Sequence, residues 1–191
     1  MTKYKSKFNN IGLGTRVITG AQIQRYYITD TPSQGNVIYI NDQNKPGLSS
    51  KREQEVSNPR IVLQRITGVD SKVRIISTLI NGHMYCANST NYIANDNSIN
   101  IKYLLGVLNS SLVNFFIKQT STNTNITAKV LNSIPIIFPS TKMQEAIIRI
   151  VDYVLIIKSL PSDIIIDQYV DNDVMARQFE NVIDALIYEL Y

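Results

Sequence analysis

Ile101–Gln119, IKYLLGVLNSSLVNFFIKQ, decides how this chain is read. Ile101, Leu104, Leu105, Leu108, Leu112, Phe115 and Phe116 recur at three- and four-residue steps, which puts them on one stripe of a helix. Gly106 and the Ser110-Ser111 pair weaken that helix locally. The stripe separates two textures. Before it the sequence reads as short strands and loops; after it, as helices with polar or proline-bearing connections. The expected class is α+β, a β-rich part followed by C-terminal helices. The division falls at residues 1–140, holding strands, loops and the one long helix, and 141–191, a helical arm.

Upstream, YYIT (Tyr26–Thr29) and NVIYIN (Asn36–Asn41) are β-branched and aromatic, with Gly and Pro between them. Asp42–Pro59 is polar, contains two prolines and predicts a loop. RIVLQRIT (Arg60–Thr67) alternates, with Ile61, Leu63 and Arg65 on one side and Val62, Gln64 and Ile66 on the other. Lys72–Ile80 and Met84–Ala94 flank Asn81-Gly82 and predict a hairpin with a type I′ turn, in which both central residues take positive φ.

Downstream, KQTSTNTNITAK (Lys118–Lys129) is a loop of Ser, Thr and Asn with basic ends. Ser133–Phe138 reads as a short strand that Pro135 confines to an edge. Thr141 with Gln144 forms a capping box for a helix over 142–157, burying Ile147, Ile150, Val151, Val154 and Leu155. SLPSD (Ser159–Asp163) ends it. A last helix over 173–191 carries Val174, Phe179, Val182, Ile183, Leu186, Ile187 and Leu190.

The net charge of +4 is unevenly placed. Residues 1–80 hold twelve Lys/Arg against five acids, and residues 141–191 four against nine. A basic body with an acidic tail fits a polyanionic partner, or a solvated surface with mild charge segregation. No apolar run reaches the roughly 18 residues of a membrane span. The basic N-terminus MTKYKSKFNN is not followed by the apolar core of a signal peptide. A single cysteine, Cys86, points to a reducing cytoplasm.

Catalytic constellations do not assemble. His83 is the only histidine, which disfavours zinc clusters and Ser-His-Asp triads. Acids before residue 140 are too scarce for a metal-dependent nuclease set. Ser57-Asn58-Pro59-Arg60 lacks the second proline and the aromatic of an amino-methyltransferase loop. Gly12-Leu13-Gly14-Thr15 is too short for a cofactor loop. His83 and Cys86, three apart on a predicted hairpin, project to opposite faces, and Cys86 reads as a small buried hydrophobe. Asp171 and Asp173 sit where helix caps belong. The chain reads as a non-catalytic binding module.

Several segments resemble one family. Arg60–Thr67 and Thr90–Ile93 resemble two strands of the TaqI-like C-terminal specificity domain. Tyr103–Phe115 resembles its Tyr-Leu-Leu-Gly helix, and Ser133–Ser140 with Gln144 its Ile-Pro-Ile element, shared with specificity subunits of type I systems. Thr19-Gly20 with Tyr27-Ile28 is similar to the family's start, and Ile183–Tyr191 to its end, where relatives continue with Gly-Leu. Residues 1–15 and Ser159–Asp173 have no counterpart. The resemblance implies the target-recognition part of a restriction–modification enzyme, reading double-stranded DNA in the major groove. Neighbouring methyltransferase and nuclease modules, in the same chain or as subunits, would carry the chemistry with S-adenosylmethionine and magnesium. No cofactor is expected in this segment. Two rivals remain: half of a type I specificity subunit acting as a DNA-binding adaptor, and a small nucleic-acid enzyme.

Under that resemblance Lys51, Arg52, Arg60, Lys72 and Arg74 are candidates for phosphate contact, or plain surface bases. Gln64 and Arg65 suit adenine and guanine edges, or a cross-strand bond. Lys118 and Lys129 would anchor phosphates around Thr120, Asn123 and Asn125, whose short donors and acceptors suit groove readout; the alternative is a flexible connection. Tyr26 and Tyr27 are expected in the core. The C-terminal helices would dock on the catalytic part or simply cover the sheet.

Overall fold

The computed structural model describes residues 7–41, 43, 47, 49–68, 73–161 and 163–191. Among the described residues, strands fill the first half, interrupted by one short α-helix, and five α-helices follow. The strands are β1 (Phe8–Asn9), β2 (Thr15–Ile18), β3 (Ile23–Gln24), β4 (Tyr27–Ile28) and β5 (Ile38–Ile40). A short helix α1 (Ser50–Ser57) precedes β6 (Arg60–Gln64), β7 (Ser77–Ile80), β8 (Tyr85–Cys86) and β9 (Thr90–Ala94). Then come α2 (Ile101–Asn109), α3 (Ser111–Thr120), α4 (Ala128–Asn132), α5 (Thr141–Ser159) and α6 (Asn172–Tyr188). The architecture is α+β, as expected.

Strand β6 is the spine. It lies between β7 and β9, antiparallel to both, with Val62 opposite Thr78 on one side and Tyr92 on the other. Its two faces serve different cores. Ile61 and Leu63 join the main cluster beneath α2 and α5, and Val62 packs with Ile18, Ile23 and Ile80. Burial on both faces explains why Arg60–Leu63 are all interior.

A second sheet, ordered β1-β5-β2-β8, pairs β2 with β8 in parallel. The expected 72–94 hairpin is therefore absent. After β7 the chain leaves the first sheet and enters the second at β8. Gly82 takes φ +83° and Asn81 does not share a positive φ, so the I′ turn does not form. The two-stranded unit β3-β4 turns at Tyr26, which holds φ +70°. A non-glycine residue tolerates that only when its surroundings over-determine it. The Tyr26 ring is 2% exposed, and its N–H donates to the Ser77 carbonyl at 3.0 Å.

Within the expected 42–59 loop the structure contains α1. Lys51, Arg52, Glu53, Gln54 and Glu55 are good helix formers, Pro59 marks the stop just past the end, and Val56 fastens the helix to a small cluster with Val17, Ile40 and Tyr85.

The expected 101–119 helix is two helices. Ser110 has ψ 152°, ends α2, and caps α3 by accepting from the Val113 N–H. The break serves a purpose that periodicity hides. Asn109 turns into the core, accepts from the Ser77 N–H and hydroxyl, and donates to the Ser77 carbonyl. Asn114 Oδ1 accepts from the Arg74 and Ile75 N–H groups at 2.6 and 2.7 Å. Two helix amides thus satisfy backbone just before β7, at Arg74 and Ile75, and at its first residue, Ser77.

Helices α5 and α6 pack on α2 at Gly106. A Cβ on that glycine would meet Val151 Cγ2 at 3.1 Å and Ile147 Cγ2 at 3.3 Å. Ion pairs tie the layers: Lys102 with Asp152 at 2.7 Å and Arg25 with Glu180 at 2.8 Å. The α5 cap is Ser140 rather than Thr141, and Asp171 caps α6. The expected strand at 133–138 forms no ladder. Its carbonyls are served by tyrosines instead: Tyr191 donates to Pro135 and Tyr103 to Ile137.

Candidate nucleic-acid interface

The polar loop that follows α3 runs beside the end of β6 and is held there by its backbone. Thr67 N–H donates to the Thr124 carbonyl at 3.0 Å, and Ile126 N–H to the Arg65 carbonyl at 2.7 Å. Ile66 and Asn125 form an antiparallel bridge. Ile126 is fully buried and acts as the plug, with its carbonyl accepting from Asn91 Nδ2. Thr120, Thr122, Asn123 and Thr124 remain exposed, and Asn125 is half-buried. Asn123 Oδ1 accepts from the Asn125 N–H at 2.9 Å, and the Thr120 hydroxyl donates to the Phe116 carbonyl at 2.8 Å. Lys118, in the last turn of α3, and Lys129, in α4, flank the loop as exposed cations.

Next to the loop, the exposed Arg65 guanidinium donates to the Asn88 carbonyl at 3.3 Å. Its N–H donates to Ser89, which leads into β9. Three residues along, roughly 10 Å at strand rise, the Tyr92 hydroxyl donates to Glu55 at 2.9 Å. Burial, and then the hydrogen bond to Glu55, hold the Tyr92 phenol above its ordinary pKa. This contact fastens α1 to β9, and α1 carries the exposed Lys51 and Arg52. Strand β9 thus connects two basic, polar patches: the Thr/Asn loop with Arg65, and the α1 pair.

Two expected surface cations lie inside the protein. Arg60 is 1% exposed, and its guanidinium donates to the carbonyls of Val56, Asn58, Gly82 and Met84. Arg74 is fully buried and donates to Thr67 Oγ1 and to the carbonyls of Ser121 and Asn123. A planar fork of five donors suits a slot lined with carbonyls, and here both terminal nitrogens of each guanidinium are already bonded inside the protein, out of reach of a phosphate. Gln64 is half-buried and donates from Nε2 to the Ile23 carbonyl at 2.8 Å, which gives its amide a structural bond. Lys72 lies outside the described residues.

His83 and Cys86 do not form a pair. The His83 ring contacts the Tyr85 hydroxyl and Ser57 Oγ, and Cys86 packs against the Val62 cluster, where burial raises its thiol pKa. Among the described residues no group of three or more His, Cys, Asp or Glu is placed to hold a metal ion, and no helix is long and apolar enough to cross a membrane. The sequence reading missed Glu55 and Tyr92. Glu55 sat in a segment expected to be a loop, and only the helical spacing of Lys51, Arg52 and Glu55 would have set it beside the strand.

Residues 15–136 match the family described as the TaqI-like C-terminal specificity domain. No curated protein matches the chain. Among solved structures, the chain is similar along its whole length to the type IIL restriction-modification enzyme MmeI in complex with DNA, with a TM-score of 0.63 at 13% identity. It spans 29% of that enzyme's chain.

Proposed function

The chain belongs to the TaqI-like C-terminal specificity domain family, and from that membership we propose that it reads double-stranded DNA for a restriction–modification enzyme. The observation that carries this reading is the Thr/Asn loop. Its backbone is bonded to the protein at Arg65, Thr67 and Arg74, and its Thr122, Asn123 and Thr124 side chains are exposed, as is Arg65. Lys51, Arg52, Lys118 and Lys129 meet phosphates, and Arg65, Thr120, Asn123 and Asn125 meet base edges. Arg60 and Arg74 take no part in contact.

Methyl transfer and cleavage, with S-adenosylmethionine and magnesium, belong to modules outside this segment; the donor set for such an ion is not assembled among the described residues. The similarity to one segment of a longer type IIL chain favours a type II fusion over a type I subunit. The reading implies a cytoplasmic protein. Selection of bound sequences from a random duplex pool by the full chain tests it. The reading expects one enriched motif; a pool that stays random at every salt concentration contradicts it.

A further inference from the structure

We propose that buried Arg74 is a positioning residue for recognition, fixing the shape of the Thr/Asn loop before any duplex arrives. The proposal rests on the reading that this loop faces DNA. The guanidinium collects the carbonyls of Ser121 and Asn123, two residues apart, while Thr122 between them is exposed. Its Nε meets Thr67 Oγ1 at 3.4 Å, and that hydroxyl donates back to the Arg74 carbonyl at 3.1 Å. The Arg74 N–H is held in turn by Asn114 Oδ1, so the clamp is bolted to α3.

Counting along the loop, the carbonyls of 121, 123, 124 and 126 and the N–H groups of 125 and 126 all bond within the protein. Little backbone is left to rearrange, and the side chains of Thr120, Asn123 and Asn125 that are proposed to meet bases are carried on a fixed frame, with Thr122 and Thr124 exposed beside them. Preorganised donors lose less conformational entropy on binding, and they penalise a wrong base because they cannot shift to meet it. Lysine cannot replace this arginine. Its ammonium is a compact point charge and cannot span two carbonyls and a hydroxyl in one plane.

The test compares the full-length wild-type chain with Arg74→Lys. Discrimination is read as the affinity ratio between the duplex selected by the wild type and a scrambled duplex. Arg74→Lys should lower that ratio by about tenfold, the scale of one lost base-specific contact. Affinity for the scrambled duplex at low salt should change less than about twofold, because phosphate contacts persist. Hydrogen exchange at the Asn125 and Ile126 amides should speed up by at least about tenfold while β6 amides keep their protection. A merely structural arginine would lower the unfolding temperature and leave discrimination intact, and that result overturns the proposal. If Arg74→Lys fails to fold, Thr67→Val carries the test, with a loss of about threefold expected from removing the hydroxyl that bonds both the Nε and the carbonyl of Arg74. Unchanged discrimination in that variant overturns the proposal equally. A wild type that selects no duplex overturns the recognition reading and this proposal with it; a discriminating wild type matched by Arg74→Lys overturns this proposal alone.

Discussion

Asp184 on α6 accepts from both the N–H and the hydroxyl of Ser111, at 2.8 and 2.5 Å. A carboxylate from the last helix thereby caps α3 at its first residue, supplementing Ser110. Helix α3 leads directly into the Thr/Asn loop, so the C-terminal helices support the loop through this contact.

Asp184→Ala should destabilise the fold by about 1 kcal/mol, the scale of a lost helix cap. Urea unfolding measures it. In combination with Ser111→Ala the losses should not add, because the two groups share one interaction.

Arg60→Met should be much more costly. It strips a buried fork from the carbonyls of Val56, Asn58, Gly82 and Met84 and leaves them without their donor. A loss of about 3 kcal/mol or more is expected in the same titration. A surface phosphate ligand would show almost no stability loss on that substitution.

Gly106→Ala sets two effects against each other. Alanine gains about 1 kcal/mol of helix propensity, but its Cβ must enter space held by stiff methyl groups of Val151 and Ile147. Overpacking of about 1–3 kcal/mol should win and give a small net loss. Gly106→Val should lose clearly more. Thermal unfolding of both variants ranks them.

Alkaline pH should weaken the fold through buried phenols. Tyr103 is fully buried, and burial pushes its pKa up to about 12; burial also raises that of Tyr26. The folded state therefore holds these protons more tightly than an unfolded chain, whose phenols titrate near about 10. The stability they contribute is intact below about pH 10 and falls as pH climbs through about 12. Urea midpoints measured across that range should drop, and Tyr103→Phe should flatten the drop.

The helices were largely legible in the sequence because amphipathic spacing, caps and prolines act locally. Ser159–Asp163 ended α5 as expected, and Asp171 caps α6. What stayed hidden was nonlocal. Periodicity cannot register that Asn109 and Asn114 must reach backbone at 74–77, so the helix break at Ser110 looked like mere weakness. Asn81-Gly82 carried a genuine turn signal, but β8 pairs with β2, nearly seventy residues upstream in the chain. Of the candidate site, the Thr/Asn loop and Arg65 read as surface and are surface. Arg60 and Arg74 misled for one reason: an arginine's charge is visible in a sequence and its carbonyl partners are not.

The central claim is that a basic scaffold grips a duplex through α1 and the Thr/Asn loop. Its most direct test is the salt dependence of duplex binding by the full chain and by a Lys51→Ala/Arg52→Ala variant. The claim predicts a falling line of log affinity against log salt for the wild type, with a slope shallower by about 1.8 in the variant, two phosphate contacts having been lost. A wild type that fails to bind duplex at low ionic strength, or a slope that the double substitution leaves unchanged, would contradict it.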